Sequence, residues 1–287
     1  MTKRNLAILS DLHFDLNELD EADFATLEEV LVRHEITDLH FAGDMSNDFK
    51  ALTLPILRYF SEKFQVTYNL GNHDMLGLTE AEIQAQDFKL WQIGKQNVLA
   101  FAGWYDYSFY PSSRAAGLKQ AFYFDRKIHR DFDDPTTTAK VLEQLDQVLA
   151  GLSQPPLVIM HFVPEKAFSF FSGSPRFDRL NAYLGSESFH DLFVKYQIKN
   201  VVFGHVHHRF SPSQIHGVTY QARPLGYMRE WQMVDDFFRE FPSYRIAEMY
   251  KLRKRFQKIR HTADWQHFKK ENLMKEFEKS LVIFKNL

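Results

Sequence analysis

Apolar and polar positions along the first hundred residues switch between two periods. The runs NLAILS (5–10), DLHFA (38–42), FQVTYNL (64–70) and VLAFAG (98–103) have the length and content of buried strands. Between them lie segments with helical spacing: 20–34, where Leu27, Val30 and Leu31 share a face, then 49–63 and 79–93. Such alternation predicts βαβ units. PLVIM (156–160), NVVF (200–203) and QIHGVTYQA (214–222) continue the strand series, and 136–150 and 187–196 the helices.

Two stretches break this rhythm. Residues 104–135 begin WYDYSFY and residues 163–186 begin VPEKAFSFF; both are rich in aromatics and turn formers and both follow a strand, where α/β folds carry functional loops. They read either as lids over a site or as ordinary packed loops. From Met249 to the end, 11 Lys and Arg face 4 Asp and Glu, about +7 against about -9 for the rest. A basic helical segment of this kind binds nucleic acid or an anionic surface, or more commonly presents a solvated face while its Leu, Phe and Ile dock. The expected organisation is a catalytic domain over 1–248 with a helical segment, 249–287, packed on it.

Composition changes this picture in a few places. A chain of 287 residues suits one large α/β domain or two small ones, and 45% hydrophobic with 25% charged residues is ordinary for a globular protein. The 28 Phe imply aromatic-rich packing or an aromatic-lined pocket, and a net charge of -2 offers nucleic acid no global attraction. With no Cys, thiolate ligands, cysteine nucleophiles and disulfides are excluded, so any metal must be held by His, Asp, Glu or Asn. The opening MTKRNLAILSDLHF is too short in its apolar run for a signal peptide, and no stretch approaches a membrane span, so a cytoplasmic location is the expectation.

The chemistry gathers at strand ends. The first strand runs into Asp11 and His13, an i, i+2 pair that in extended chain points one way. The second ends in Gly43-Asp44, the third in Gly71-Asn72-His73-Asp74, PLVIM in His161, and NVVF in Gly204-His205-Val206-His207. Asp, His and Asn are the oxygen and nitrogen donors that suit Mn, Fe or Zn. Seven of them (Asp11, His13, Asp44, Asn72, His161, His205, His207) are too many for one ion with an open position and fit two ions sharing a carboxylate.

The ordered set SDLH, AGD, GNHD, MH and GHVH, from residue 10 to 207, resembles the calcineurin-like metallophosphoesterases. That resemblance implies an α/β four-layer αββα sandwich with two mixed sheets. It implies that Asp11, His13 and His207 hold one divalent ion, that Asn72, His161 and His205 hold the other, and that Asp44 bridges them, Mn being the first choice of metal. His73 would face the substrate as a catalytic group, with Asp74 bonded to its imidazole and favouring the protonated form. The implied reaction is hydrolysis of a phosphoester by a metal-bound hydroxide.

The loops, which the motifs leave undescribed, set the substrate. His73 stands where the family's lipid hydrolases carry Arg, and the chain lacks the size and export signal of secreted 5′-nucleotidases. A small phosphodiester or phosphomonoester is the expected substrate, and WYDYSFY a candidate for stacking on a base. Arg176 and Arg179 are candidates for a phosphate or carboxylate, His40 reads as structural, and His208, Arg209 and Asp48 lie beside the donors without an assigned role. The rivals are a nuclease using the basic C-terminal segment, and a scaffold that binds metal without catalysis; a complete donor set with His73 favours an enzyme.

Overall fold

The computed structural model describes residues 3–170 and 173–287; the side chain of Arg176 lies outside the described atoms. In chain order the elements are β1 (Leu6–Leu9), α1 (Glu21–Arg33), β2 (Asp38–Ala42), α2 (Leu54–Ser61), β3 (Gln65–Asn69), α3 (Glu80–Gln86), β4 (Lys89–Ile93), β5 (Gln96–Phe101), α4 (Ala115–Phe122) and α5 (Asp134–Ala150). There follow β6 (Leu157–Met160), α6 (Pro175–Asp178), α7 (Ser188–Lys195), β7 (Asn200–Phe203), β8 (Phe210–Ile215), β9 (Val218–Ala222), α8 (Gln232–Glu240), α9 (Leu252–Ile259), α10 (Ala263–Ser280) and β10 (Val282–Phe284).

One sheet has the order β10-β1-β2-β3, with β1, β2 and β3 parallel and β10 antiparallel. The other runs β4-β5-β6-β7-β9-β8, parallel in its centre and antiparallel at both margins. Both sheets are therefore mixed, and the alternation of side chains explains how they stack. Leu6 and Ile8 join Val98, Ala100, Leu157, Ile159 and Val202 in a cluster between the sheets. Ala7 and Leu9 face the other way, against α1, α8 and α10, while Leu99, Phe101 and Val158 face α5 and α7. Strands buried on both faces need continuous apolar runs, which is how they read in the sequence. The result is the α/β four-layer sandwich.

Three expected elements come out differently. The second half of 79–93 is not helix: α3 starts at a Thr79–Glu82 capping box and is over by Gln86, and Lys89–Ile93 form a strand. Residues 214–222 are not one strand but two, turning at His216 and Gly217 with φ of 47° and 87°, the pair of positive values a tight two-residue hairpin requires. The C-terminal segment carries helices and also β10, paired with β1 in the register Leu6 to Phe284. Among the described residues no helix is long and apolar enough to cross a membrane.

Candidate metal centre and active site

The strand ends are tied to their neighbours within each sheet by backbone bonds. Asp11 N–H donates to Gly43 O (3.0 Å), His13 N–H to Asp44 O (2.9 Å), and Gly204 N–H to His161 O (3.1 Å). Asp11, His13, Asp44, His205 and His207 all hold positive φ, between 40° and 68°. Left-handed backbone costs a non-glycine residue of order 1–3 kcal/mol, and it gathers where surrounding contacts enforce it for function. The convergence of Asp11 and His13 thus comes from these turns rather than from strand pleating, because β1 has already ended at Leu9. Gly71 is needed for a different reason: a methyl group there would overlap the Asp44 carboxylate.

The seven donors come together in two groups that share Asp44. Candidate ligand atoms of Asp11, His13, Asp44 and His207 lie within 4.8 Å of one another, as do those of Asp44, His161 and His205. Asp44 Oδ2 is 3.6 Å from His13 Nε2, and its Oδ1 is 3.4 Å from His161 Nε2. Asn72 Oδ1 lies 3.1 Å from the same His161 nitrogen, and His13 Nε2 is 3.0 Å from His207 Nε2. The outward atoms have partners of their own. His161 Nδ1–H donates to Ala42 O, His205 Nε2–H to Tyr183 O, His207 Nδ1–H to Glu230, and the Asn72 amide to Asp125 Oδ1 (2.8 Å). Outward bonds of this kind set tautomer and ring orientation and leave the lone pairs facing inward.

Charge tells the same story. Burial drives His13 well below its usual range and takes His205 down to about 3, so both are neutral. Burial also opposes ionisation of Asp11 and Asp44, but the surrounding histidines outweigh it and both carboxyls are lowered. At His161 the burial penalty is overcome by Asp44 and the ring rises to about 9; at His207 it is overcome by Asp11 and Glu230 and the ring rises to about 10. The carboxylates therefore draw positive charge inward. With every imidazole neutral, the facing lone pairs would repel unless a cation lay between them, so the residues present fit divalent metal.

His73 sits beside this cluster, its Nε2 4.0 Å from Asp44 Oδ2. The expected bond from Asp74 to its imidazole is not there. Asp74 instead accepts from the N–H groups of Met45 (3.1 Å), Ser46 (3.3 Å) and Gly71 (2.9 Å) and from the Thr53 hydroxyl (3.2 Å), bracing two loops from below. Its turn puts four donors under the loop and none of them is His73. Burial and the Asp44 charge push Asp74 up to about 7. The residue that orients His73 is Asn47, whose Oδ1 is 2.9 Å from Nδ1. Burial lowers the His73 pKa, contrary to the expected stabilisation of its protonated form.

Two aromatic groups close over His73. Phe124 stacks on it at 3.9 Å, and Tyr227, which also stacks on His13, places its hydroxyl 3.3 Å from His73 Nε2. A cleft of about 540 Å³ leads to the centre, lined by Tyr123, Phe170, Leu180, His208 and Leu252 together with four of the donors, Asp44, Asn72, His205 and His207. The WYDYSFY stretch does not reach it: Trp104, Tyr105 and Phe109 are buried core, and Trp104 Nε1 bonds Asp134. Arg179 stacks over Phe122, Arg209 ties Pro224 to Ser280 and Glu276, Asp48 caps the helical turn at 49–53, and His40 is buried between Thr67 and Asn69. Sequence reasoning missed Asn47, Phe124, Asp125, Tyr227 and Glu230. Only Asn47, three residues after Asp44 in GDMSND, carried a local signal.

The family description "calcineurin-like phosphoesterase" matches residues 4–209. The chain belongs to the calcineurin-like phosphoesterase family. Among solved structures it is similar to the phosphopantetheinyl hydrolase PptH of Mycobacterium tuberculosis, with a TM-score of 0.60 and 17% identity over 80% of this chain and 92% of that one. It is also similar to a dimetal phosphatase from Danio rerio, at 0.44 and 12% over 77% and 87% of the two chains. None of the curated proteins compared matches it. The first of these likenesses shows the fold, and the family gives the activity, hydrolysis of phosphoesters.

Proposed function

We propose that this calcineurin-like phosphoesterase is a dinuclear enzyme acting on a small phosphodiester or phosphomonoester. The observation that carries this is Asp44, whose two oxygens face two separate donor groups, His13 on one side and His161 with Asn72 on the other. Asp11, His13 and His207 would hold one ion, Asn72, His161 and His205 the second, and Asp44 both, with Mn²⁺ the metal to try first. Bound there, the ions supply Lewis-acid charge and a water acidified to near neutrality.

The chain's own residues do the rest. His73, held by Asn47 and flanked by Phe124 and Tyr227, faces the open cleft, where it donates a hydrogen bond to a phosphoryl oxygen or a proton to the leaving oxygen. Glu230 and Asp125 keep His207 and Asn72 turned inward, and the Phe124 ring shields one face of His73 from water.

The test is hydrolysis of p-nitrophenyl phosphate and bis-p-nitrophenyl phosphate by metal-stripped protein, with and without Mn²⁺, beside His73→Ala and Asp44→Asn. Turnover that needs metal and is lost in both variants is the expected result. Folded protein that binds two ions yet turns over neither compound would favour the metal-binding scaffold.

A further inference from the structure

A second cavity, of about 750 Å³, lies beside the metal cleft. The two share His73, Phe124 and Tyr227 as walls, so they open on either side of one imidazole. Their linings differ in charged side chains. The metal cleft is lined by Asp44 and Glu230, whereas Lys127, Arg229, Arg253 and Arg260 line the second cavity with no carboxylate among its described walls. Lys127 comes from the 104–135 insertion, Arg229 from the turn before α8, and Arg253 and Arg260 from α9 and its end. Three of the four lie beyond residue 209, where the family match stops.

Five of the eleven basic residues of the C-terminal segment are already paired with a carboxylate. Lys251 and Lys254 pair with Glu248, Arg255 with Asp235, and Lys269 with Asp23. Arg260 meets Glu18 at 2.8 Å, and Arg229 lies over Tyr227 with Glu230 at 3.5 Å. Lys127 and Arg253 have no acidic partner among the described residues, and both are exposed to the cavity's solvent. Like charges gathered on one cavity repel each other and gain from an anion between them. Leu16, Leu76 and Phe256 supply apolar wall for the body of a ligand.

We propose that this cavity is a second phosphate subsite, so that the natural substrate is a small phosphoester carrying another phosphate. The scissile group lies on the metal side of His73, the second phosphate against Arg253 and Lys127, and the body of the molecule passes Phe124. This rests on the phosphoesterase reading above. A cavity of this size suits a small ligand. A nucleic-acid strand would need cations spaced along many phosphates, whereas of the segment's basic residues only Arg253 and Arg260 line this cavity.

The test compares phosphate release from adenosine 3′,5′-bisphosphate and adenosine 5′-monophosphate by the Mn²⁺-loaded chain. The bisphosphate is expected to have a kcat/KM about tenfold or more higher, as one charge-assisted contact allows. In the double variant Lys127→Ala, Arg253→Ala that ratio should fall toward one, through KM rather than kcat. Both positions are exposed, so the fold is not at stake. A parent ratio near one, or a ratio the variant leaves alone, would overturn the subsite. If neither nucleotide turns over, nor p-nitrophenyl phosphate, nor bis-p-nitrophenyl phosphate, the phosphoesterase reading fails separately; whenever the nucleotides are not turned over, calorimetric binding of the two decides: a preference for the bisphosphate lost in the variant supports the subsite, and equal affinities overturn it. A single-stranded oligonucleotide that displaces the bisphosphate, with affinity falling steeply as salt rises, would overturn the small substrate in favour of nucleic acid.

Discussion

His40 offers a stability prediction that can be worked through from the structure. The ring lies inside β2, with Nδ1 2.8 Å from Thr67 Oγ1, Nε2 2.9 Å from Asn69 Oδ1, and Trp91 stacked at 5.2 Å. Burial takes its pKa from 6.5 down to about 3, against the opposing effect of the Asn69 bond. The folded protein therefore keeps His40 neutral at pH values where the unfolded chain has protonated it. Stability from this residue is present above pH 6.5 and drains away as pH falls toward 3. At about 1.36 kcal/mol per unit, lowering the pH from 7.5 to 5 costs about 2 kcal/mol through His40 alone. The perturbation is His40→Gln, which keeps an amide for Asn69 and cannot titrate. Urea unfolding of both proteins at pH 7.5 and 5, with chelator present throughout, gives two differences whose difference isolates residue 40, since every other titrating group cancels. The parent should lose about 2 kcal/mol more than the variant. Parallel losses would show that His40 is protonated in the folded protein, or exposed to water, and would refute the reasoning.

Three further outcomes follow from the site and its supports. Asp125→Ala frees the Asn72 amide to rotate and should weaken one of the two proposed ions by about 10–100-fold in calorimetric titration, with Asp125→Asn restoring part of the loss; two unchanged affinities would count against it. Stripping metal should lower the melting temperature by roughly 5–10 °C relative to protein holding metal at a hundredfold excess over its Kd, seen by scanning fluorimetry with and without chelator. Arg209→Met strands the Glu276 carboxylate, which is 2% exposed, and should cost about 3–5 kcal/mol in urea unfolding, with Glu276→Gln in the same chain recovering much of it.

How much of this was legible in the sequence depends on what held each element in place. Strands buried on both faces, such as Leu157–Met160 and Asn200–Phe203, announce themselves as apolar runs because their apolar side chains are all buried. The seven donors were legible because each follows such a run. Asp74 was not, because adjacency in sequence says little about where a side chain points when the chain turns between neighbours. Asn47 had to be found across a loop, and Asp125, Tyr227 and Glu230 are brought in from 53, 154 and 23 positions away from the residues they touch. The His216-Gly217 turn was visible and overlooked, whereas β10 has three residues and exists because β1 offers it an edge.

That last element connects the two halves of the site. β1 delivers Asp11 and His13, and its free edge is covered by β10, the end of the chain. α10, which leads into β10, packs on α1 and is tied to it by Lys269 and Asp23. Arg209, two residues past His207, grips α10 through Glu276 and Ser280. The C-terminal segment is thus fastened to both ends of the donor series, and α9, a few residues before α10, is carried with it to the rim of the cleft. The donor set proposed to hold the metals and the helix that carries Arg253 are, in this arrangement, joined through β10 and α10. Changes that loosen α10 should therefore alter KM for a doubly charged substrate before they alter metal affinity, because Arg253 loses its position when α9 shifts, while Asp11 and His13 remain held by Gly43 and Asp44.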